Sequence, residues 1–261
     1  MRKLSTTPKV SLVGAGPGDP DLISVKGLKA IQQADVILHD ALANDLLLEE
    51  AKPEAILISV GKRAGKHRYS QAEIQHLMLQ HALQHGHVVR LKGGDPFIFG
   101  RGYEELSYLT AFDVETEVIP GISSLSAVPG TNGIPLTARG VNESFWAITA
   151  TTSSGALSGD VYLAARSTAT VVIFMGMRKL GEIVEIFKRL GKSQTPIAVI
   201  QSGTLPEENR AIGTIDTIEA LVKRKQLGTP ALIVIGEVVK LHPDLSHESV
   251  VEYGLTSWRS Q

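Results

Sequence analysis

Residues 88–105, VVRLKGGDPFIFGRGYEE, combine a glycine turn, a carboxylate and several charges, a set that can bind a small molecule. A buried strand is predicted to end at Lys92, and Gly93, Gly94 and Asp95 follow it directly. Because glycine has no Cβ, the peptide groups of this turn can approach a ligand closely. Ligands usually bind at the carboxyl ends of strands in open α/β sheets. A tight strand-to-helix turn without a ligand is the alternative interpretation.

Charged residues at other predicted strand ends could transfer protons or bind anions. Asp40 follows the predicted strand 36–39, although a lone aspartate at such a place is more often a cap or turn residue. The run GKRAGKHR, residues 61–68, carries four fixed positive charges. Such a run is usually a solvated loop, but it could also bind a substrate with many carboxylates.

A second glycine turn, GAGPGDP at residues 14–20, follows the first predicted strand and raises the hypothesis of a dinucleotide site. The spacing is G-x-G-x-G rather than G-x-G-x-x-G, and Pro17 and Pro20 lie where a helix N-terminus should hold a pyrophosphate. The sequence therefore disfavours a nicotinamide-dependent oxidoreductase or a nucleotide-binding module. A purely structural turn remains the other interpretation.

The elements that position these residues alternate between strands and helices, which predicts an α/β fold. The clearest helix covers residues 70–85, where Ser70 and Glu73 form a capping-box pattern. An earlier helix is expected to bury Val25, Leu28 and Ile31, which recur every three residues.

Two further patterns concern the second half of the chain. The turn at Ile119-Pro120-Gly121 predicts a boundary between an N-terminal domain, residues 1–119, and a C-terminal domain, residues 120–261. The short strands 197–201 and 211–214 lie close in sequence, which predicts an antiparallel part of the second sheet.

Composition narrows the class of protein. The 261 residues can form one large or two modest domains, and a net charge of -1 gives no indication of nucleic-acid binding. The absence of cysteine excludes disulfides and thiolate ligands. The longest apolar runs have the length of strands, so we expect a cytoplasmic protein without a membrane span. His81 and His85 have a metal-ligand spacing, but no third ligand accompanies them and we predict no metal site.

Three strings resemble a known family. LKGGDPFIFGRGYEE resembles the signature of the uroporphyrinogen-III C-methyltransferases. GAGPGDPDL resembles the opening motif of the tetrapyrrole methylase superfamily, and PGISSLSAVPGTNGIPLTAR resembles its second motif. The resemblance covers roughly residues 8 to 240.

This resemblance implies a tetrapyrrole methylase fold of two α/β/α domains with the active site in the cleft between them, and a homodimer. It implies transfer of two methyl groups from S-adenosyl-L-methionine to uroporphyrinogen III, through precorrin-1 to precorrin-2, the branch point to sirohaem and cobalamin. S-adenosyl-L-homocysteine would be the other product. The chain is expected to be the single-function form. Another methyltransferase of the superfamily, acting on a later corrinoid intermediate, is the alternative.

The resemblance also implies roles for individual residues. Asp40 would be the proton acceptor and Lys62 the proton donor, while Arg101, Glu104 and Arg139 would contact the tetrapyrrole. The residues that would contact the methyl donor are Pro17, Gly93, Gly94, Asp95, Ile98, Ser123, Ser124, Met175, Gly203 and Ala231.

Overall fold

The computed structural model describes residues 7–61, 69–243 and 245. The chain divides into two compact units, of which the first extends to Ser123 and the second begins at Ser124. The sequence places the boundary four residues earlier, at Ile119. Residues that follow Ile119 belong to the first unit, because the amide of Gly121 donates a hydrogen bond to Oδ2 of Asp95 at 3.1 Å.

The first unit is built on a parallel sheet with strand order β3-β2-β4-β1-β5. Its strands are β1 (Lys9–Gly14), β2 (Val36–His39), β3 (Ile56–Ser59), β4 (His87–Lys92) and β5 (Glu115–Ile119). Its α-helices are α1 (Val25–Gln33), α2 (Gln71–His85) and α3 (Gly102–Thr110), and two 3-10 helices cover Pro20–Leu22 and Asp45–Glu50. All strands run the same way, so their carboxyl ends lie along one edge of the sheet.

Side-chain alternation along each strand places a core on both faces of this sheet. One core contains Leu12, Leu38 and Val88 together with side chains of α2 and α3. The other contains Val13, Ile37 and Leu91 together with side chains of α1. Both faces are covered, which explains why the central strands are apolar along most of their length.

The helix predictions for this unit have mixed outcomes. The capping box of α2 is confirmed, since Ser70 Oγ accepts from the amide of Glu73 and Glu73 Oε2 accepts from the amide of Ser70. The stripe predicted for α1 is wrong at its first position, because Val25 is 70% exposed. Val25 is the first residue of its helix. The predicted Ile31 is fully buried against the sheet, together with Ala30.

The second unit contains a mixed sheet with strand order β6-β7-β10-β8-β9. Its strands are β6 (Phe145–Thr149), β7 (Thr170–Phe174), β8 (Pro196–Gln201), β9 (Asn209–Thr214) and β10 (Ala231–Ile235). Its α-helices are α4 (Ser124–Thr131), α5 (Gly159–Ala165), α6 (Leu180–Arg189) and α7 (Ile218–Arg224). The predicted antiparallel pair is confirmed as β8 and β9, and β10 is antiparallel to both β7 and β8.

Helices cover both faces of the second sheet. Helices α5, α6 and α7 share one core with β7 and β10, whereas α4 and a 3-10 helix at Glu237–Leu241 pack on the other face. Helix α5 lies in a Ser/Gly-rich segment for which the sequence gives no helix prediction. It begins after Ser158, whose Oγ accepts from the amide of Asp160. Within the described residues, none of the helices could cross a membrane.

Candidate active site

Loops at the carboxyl edge of the first sheet are joined by backbone hydrogen bonds. The amide of Ala15 donates to the carbonyl of Lys92 at 2.7 Å, which continues the pairing of β1 and β4 beyond the strands. The amide of Gly94 donates to the carbonyl of Gly16 at 2.7 Å, and the reverse bond is 3.3 Å. The two glycine turns predicted from sequence therefore form one structure.

Three glycines allow these loops to approach each other. A Cβ on Gly121 would overlap the carbonyl oxygen of Gly94, and a Cβ on Gly14 would lie 2.6 Å from the same oxygen. Gly94 has φ +67°, and a Cβ there would meet no atom within 4 Å. Gly14 and Gly121 therefore pack closely against the carbonyl of Gly94, whereas Gly94 itself borders open space. This arrangement would allow a ligand to lie against the backbone.

Asp95, a predicted cofactor contact, joins two of these loops through its carboxylate. Its Oδ1 accepts from the amide of Phe97 at 2.8 Å, and its Oδ2 accepts from the amide of Gly121. Three exposed apolar side chains follow it: Phe97, Ile98 and Phe99. The carboxylate therefore connects the loop after β4 to the loop after β5. The three exposed apolar side chains follow it in the same loop.

Pro17 and Gly93, two other predicted cofactor contacts, belong to the same edge. Pro17 lies between Gly16 and Gly18, and the carbonyl of Gly18 accepts from Nδ2 of Asn44 at 2.8 Å. A Cβ on Gly93 would lie 2.8 Å from the Cβ of Leu42. The loop after β2 is thereby joined to the loops after β1 and β4.

Asp40, the predicted proton acceptor, lies at the end of β2 and is bound by a buried arginine. Nη2 of Arg90 donates to Oδ1 of Asp40 at 2.6 Å, and the Asp40 side chain is 29% exposed. Nε of Arg90 donates to Oε1 of Glu105 on α3 at 3.2 Å. Nζ of Lys92 lies 3.0 Å from Oε2 of Glu105. We name these four residues, Asp40, Arg90, Lys92 and Glu105, the charge cluster.

The cations of the charge cluster respond differently to burial. Burial disfavours the charged form of Arg90, but the carboxylates of Asp40 and Glu105 outweigh it and raise the pKa of Arg90. Burial lowers the pKa of Lys92, and the nearby positive charge of Arg90 lowers it further. Arg90 is thus the fixed cation of the cluster.

Sequence reasoning missed the roles of Arg90, Lys92 and Glu105. A signal was present, because two cations at alternate positions of an apolar strand must share one face and need buried anions. The identity of those anions depends on the packing of β2 and α3 against β4, which no local pattern gives.

Arg101 and Glu104, two predicted substrate contacts, bind each other at the start of α3. Nε and Nη2 of Arg101 donate to the two carboxylate oxygens of Glu104 at 2.9 and 2.6 Å. The side chains are 56% and 49% exposed. The bond to Glu104 raises the pKa of Arg101, and the same bond lowers the pKa of Glu104. The pair presents an oriented guanidinium to solvent.

In the second unit, three predicted cofactor contacts lie at one edge of the sheet. Met175 follows β7 and Gly203 follows β8, while Ala231 begins β10 and pairs with Gln201. A Cβ on Gly203 would lie 2.5 Å from Cγ1 of Val128 on α4, so only glycine lets this loop pack on that helix. The structure therefore brings these three residues to the same side of the second unit.

The remaining predicted residues are more scattered. Ser123 is buried and ends the first unit, whereas Ser124 is the first residue of α4. Arg139 is exposed in the second unit. Lys62, the predicted proton donor, lies outside the described residues.

Several residues in the loops at the strand ends of the two units have a left-handed backbone although they are not glycine. Positive φ values occur at Phe99 and Arg101 in the first unit, and at Met175, Ser202 and Thr204 in the second. Such conformations carry a cost of about 1–3 kcal/mol each and are typical of functional sites.

Comparison with known proteins gives the family. Residues 9–219 match the family model of Tetrapyrrole (Corrin/Porphyrin) Methylases, which is well over half of the chain. The chain belongs to the tetrapyrrole methylase family.

One curated relative of this methylase is the uroporphyrinogen-III C-methyltransferase of Methanocaldococcus jannaschii. It is 45% identical over 237 residues, which cover 90% of this chain and 98% of the relative. The sequence-based assignment to this family is confirmed.

Solved structures agree with the fold. A uroporphyrin-III C-methyltransferase from Thermus thermophilus, complexed with S-adenyl homocysteine, is 37% identical with a TM-score of 0.77, and the match covers 89% of the methylase and 99% of that chain. A cobalt precorrin-4 methyltransferase is 28% identical with a TM-score of 0.79, and the match covers 88% of the methylase and 95% of that chain. The predicted α/β tetrapyrrole methylase fold is confirmed.

Proposed function

We propose that this methylase transfers two methyl groups from S-adenosylmethionine to uroporphyrinogen III and forms precorrin-2 through precorrin-1. The observation that carries the proposal is the 45% identity to a uroporphyrinogen-III C-methyltransferase over 98% of that protein's length. The sequence signature from Leu91 to Glu105 points to the same activity.

The residues present fit S-adenosylmethionine, which supplies an activated methyl group on a sulfonium when it is bound. The peptide of Gly94 has open space before it, and the apolar side chain of Ile98 is 37% exposed close by in sequence. Asp95 is proposed to act here mainly by holding the loops, because both of its oxygens accept backbone amides. Pro17 and Gly93 would complete the first-unit contacts.

The family resemblance also predicts donor contacts among residues of the second unit. Met175 is 56% exposed and offers a flexible apolar side chain at the end of β7. Gly203 and Ala231 would offer backbone groups at the neighbouring strand ends, and Ser124 would offer a hydroxyl group. Ser123, the last residue of the first unit, would offer another hydroxyl group. Alignment of the methyl group with the accepting carbon is the main task of these residues, and such alignment can lower a barrier by ~7–11 kcal/mol.

The tetrapyrrole is proposed to bind through guanidinium groups, since uroporphyrinogen carries many carboxylates. Arg101 is exposed and held in one orientation by Glu104. It can therefore donate hydrogen bonds to a substrate carboxylate without first ordering its side chain. Arg139 is exposed and would contribute a second positive charge. Arginine suits this task because its planar fork matches a carboxylate.

Methylation at carbon requires that a proton leave the macrocycle, and Asp40 is the proposed acceptor. Its Oδ1 is engaged by Arg90, while Oδ2 has no hydrogen-bond partner among the described residues. Oδ2 can therefore receive a proton without breaking the bond to Arg90. Lys62 stays a prediction as the proton donor.

Two alternative functions have less support. A methylase acting on a later corrinoid has nearly the same fold, since the cobalt precorrin-4 enzyme has a TM-score of 0.79, but its identity to this chain is only 28%. For a dinucleotide site the geometry is poor, because the glycine turn leads into the 3-10 helix Pro20–Leu22 and α1 begins only at Val25.

One assay tests the proposal. The protein is incubated with uroporphyrinogen III and S-adenosylmethionine, and the products are separated and weighed by mass spectrometry. We expect a product that carries two added methyl groups. An unchanged tetrapyrrole, together with methylation of a cobalt-precorrin offered in parallel, would favour the corrinoid alternative. Calorimetry with S-adenosylhomocysteine and NAD separates the classes, and binding of NAD alone would contradict the proposal.

The family resemblance also leads us to propose a homodimer. Sedimentation equilibrium of the purified protein tests this assembly, and a mass of one chain at all concentrations would contradict it.

A further inference from the structure

We propose that Arg90 is a positioning residue that holds the carboxylate of Asp40 in the orientation needed to accept a proton. Glu105 in turn holds Arg90. The inference deepens the proposed function and rests on the role of Asp40 given above. Nothing in the resemblance assigns a function to Arg90 or Glu105.

The guanidinium of Arg90 is fixed by bonds to three different elements. Nε donates to Glu105 on α3, and Nη2 donates to Asp40 after β2. Nη1 donates to the carbonyl of Leu38 at 3.4 Å and to the carbonyl of Leu91 at 3.2 Å. Any rotation of the guanidinium would break several of these hydrogen bonds. Asp40 is therefore bound by a group of fixed orientation.

Exposure falls from Asp40 inward. The Asp40 side chain is 29% exposed, whereas the side chains of Arg90, Lys92 and Glu105 are 2%, 3% and 0% exposed. Within the charge cluster, Asp40 is therefore the member that a solute can reach. The three buried members act as its support.

The charge cluster is electrically balanced. Two cations, Arg90 and Lys92, face two carboxylates, Asp40 and Glu105, and all but Asp40 are closed from water. An unpaired buried charge is strongly destabilising, so removal of one partner should disturb the others. Gln71 supports Glu105 from α2, since its Nε2 donates to Oε1 at 3.0 Å.

Arginine is required for this geometry. Its fork reaches Asp40 and Glu105 at the same time, whereas the ammonium of lysine is a single point of charge on a flexible chain. Arg90→Lys keeps the positive charge but cannot span both carboxylates. This variant separates the orientation of Asp40 from the charge beside it.

A purely structural ion network is the competing explanation, and a double-mutant cycle distinguishes the two. The enzymes compared are wild type, Arg90→Lys, Asp40→Asn and the double variant. Single-turnover methyl transfer at saturating uroporphyrinogen III is measured, and calorimetry with S-adenosylhomocysteine reports whether each variant is folded and binds. Lys52→Met is the control, because it removes an ion pair with Asp35 (Nζ to Oδ1, 2.7 Å) elsewhere in the first unit.

We expect Arg90→Lys to slow methyl transfer by about 10²-fold, the effect of displacing a catalytic group by about 1 Å. The affinity of Arg90→Lys for S-adenosylhomocysteine should stay within about twofold of wild type. In the control Lys52→Met, the melting temperature should change but the rate of methyl transfer should not. In the Asp40→Asn background, Arg90→Lys should change the rate by less than about twofold, because Arg90 then has no carboxylate to orient.

Equal slowing by Arg90→Lys in both backgrounds would overturn the inference, as would full activity of the single variant. If Arg90→Lys does not fold, Glu105→Gln is used in the same cycle, and it should slow wild type but not Asp40→Asn. Failure of the proposed function is distinct, since wild type itself would then form no dimethylated product. An Asp40→Asn variant as active as wild type would remove Asp40 from the mechanism and overturn the inference with it.

Discussion

The amide of Gly121 donates a hydrogen bond to Oδ2 of Asp95, which connects the loop after β5 to the loop after β4. The other oxygen of Asp95 accepts from the amide of Phe97 at 2.8 Å. One carboxylate thus closes two loops at the carboxyl edge of the sheet, beside the open face of Gly94.

Asp95→Asn tests these two hydrogen bonds, because an amide side chain has one acceptor oxygen and its NH2 group cannot accept. One of the two backbone amides should lose its partner, at a stability loss of about 1–3 kcal/mol if it stays buried. We also expect weaker binding of S-adenosylhomocysteine. Urea unfolding and calorimetry measure the two effects. Asp160→Asn, at an exposed position in the first turn of α5, is the control, and equal behaviour of the two variants would contradict the role of Asp95.

Gly94→Ala tests whether a ligand lies against the backbone. The new methyl group meets no protein atom within 4 Å, so the stability cost should be only the left-handed backbone term of about 1–2 kcal/mol. Binding of S-adenosylhomocysteine should nevertheless be lost. Gly191→Ala is a matched control, because Gly191 has φ +72° and equally open space. Retained binding in Gly94→Ala would show that the donor lies elsewhere.

Arg101→Ala tests the proposed carboxylate contact. Since Arg101 is 56% exposed, an exposed charge interaction of at most about 1 kcal/mol is expected, which corresponds to a KM for uroporphyrinogen III raised by up to about fivefold. Donor affinity should not change. Lys240→Ala removes a similarly exposed pair with Glu237 and should leave the KM unaltered. The prediction fails if steady-state kinetics give the same KM for Arg101→Ala and wild type.

His87 gives the structure a pH dependence. Burial lowers its pKa below the ordinary value of 6.5, and Nε2 lies 2.9 Å from Oγ of Ser11. The unfolded chain therefore binds a proton first, so the free energy of unfolding falls as the pH drops below about 6.5, by at most about 1.4 kcal/mol per pH unit. His87→Gln should reduce this slope between pH 7 and 5 in urea titrations. His76→Gln, at an exposed position, should not.

Much of the fold could be predicted from local sequence. The strand that ends at His39 and the capping box at Ser70 follow from apolar runs and from one short motif, which are properties of neighbouring residues. The failure at Val25 has a local cause as well, since a residue in the first turn of a helix can extend beyond the sheet. Helix α5 was not predicted, because its seven residues lie in a segment rich in Ser and Gly.

The candidate site was predicted in part. The two glycine turns were recognised, but their mutual hydrogen bonds at Gly16 and Gly94 join positions far apart in sequence. The charge cluster was missed for the same reason, because Asp40 and Arg90 are separated by 50 residues. Such pairs are set by strand order, and a single sequence does not give strand order.

The left-handed residues Phe99, Arg101, Met175, Ser202 and Thr204 have a consequence for protein engineering. Glycine would relieve a backbone strain of about 1–3 kcal/mol at each of them, against a cost of about 0.4–1 kcal/mol from a more flexible unfolded chain, so a screen for heat resistance should select such replacements. The same replacements would remove side chains from the loops in which we place ligand contacts. Laboratory selection for thermal stability alone should therefore yield enzymes that unfold at higher temperature but transfer methyl groups more slowly. At these five positions, stability and activity favour different residues.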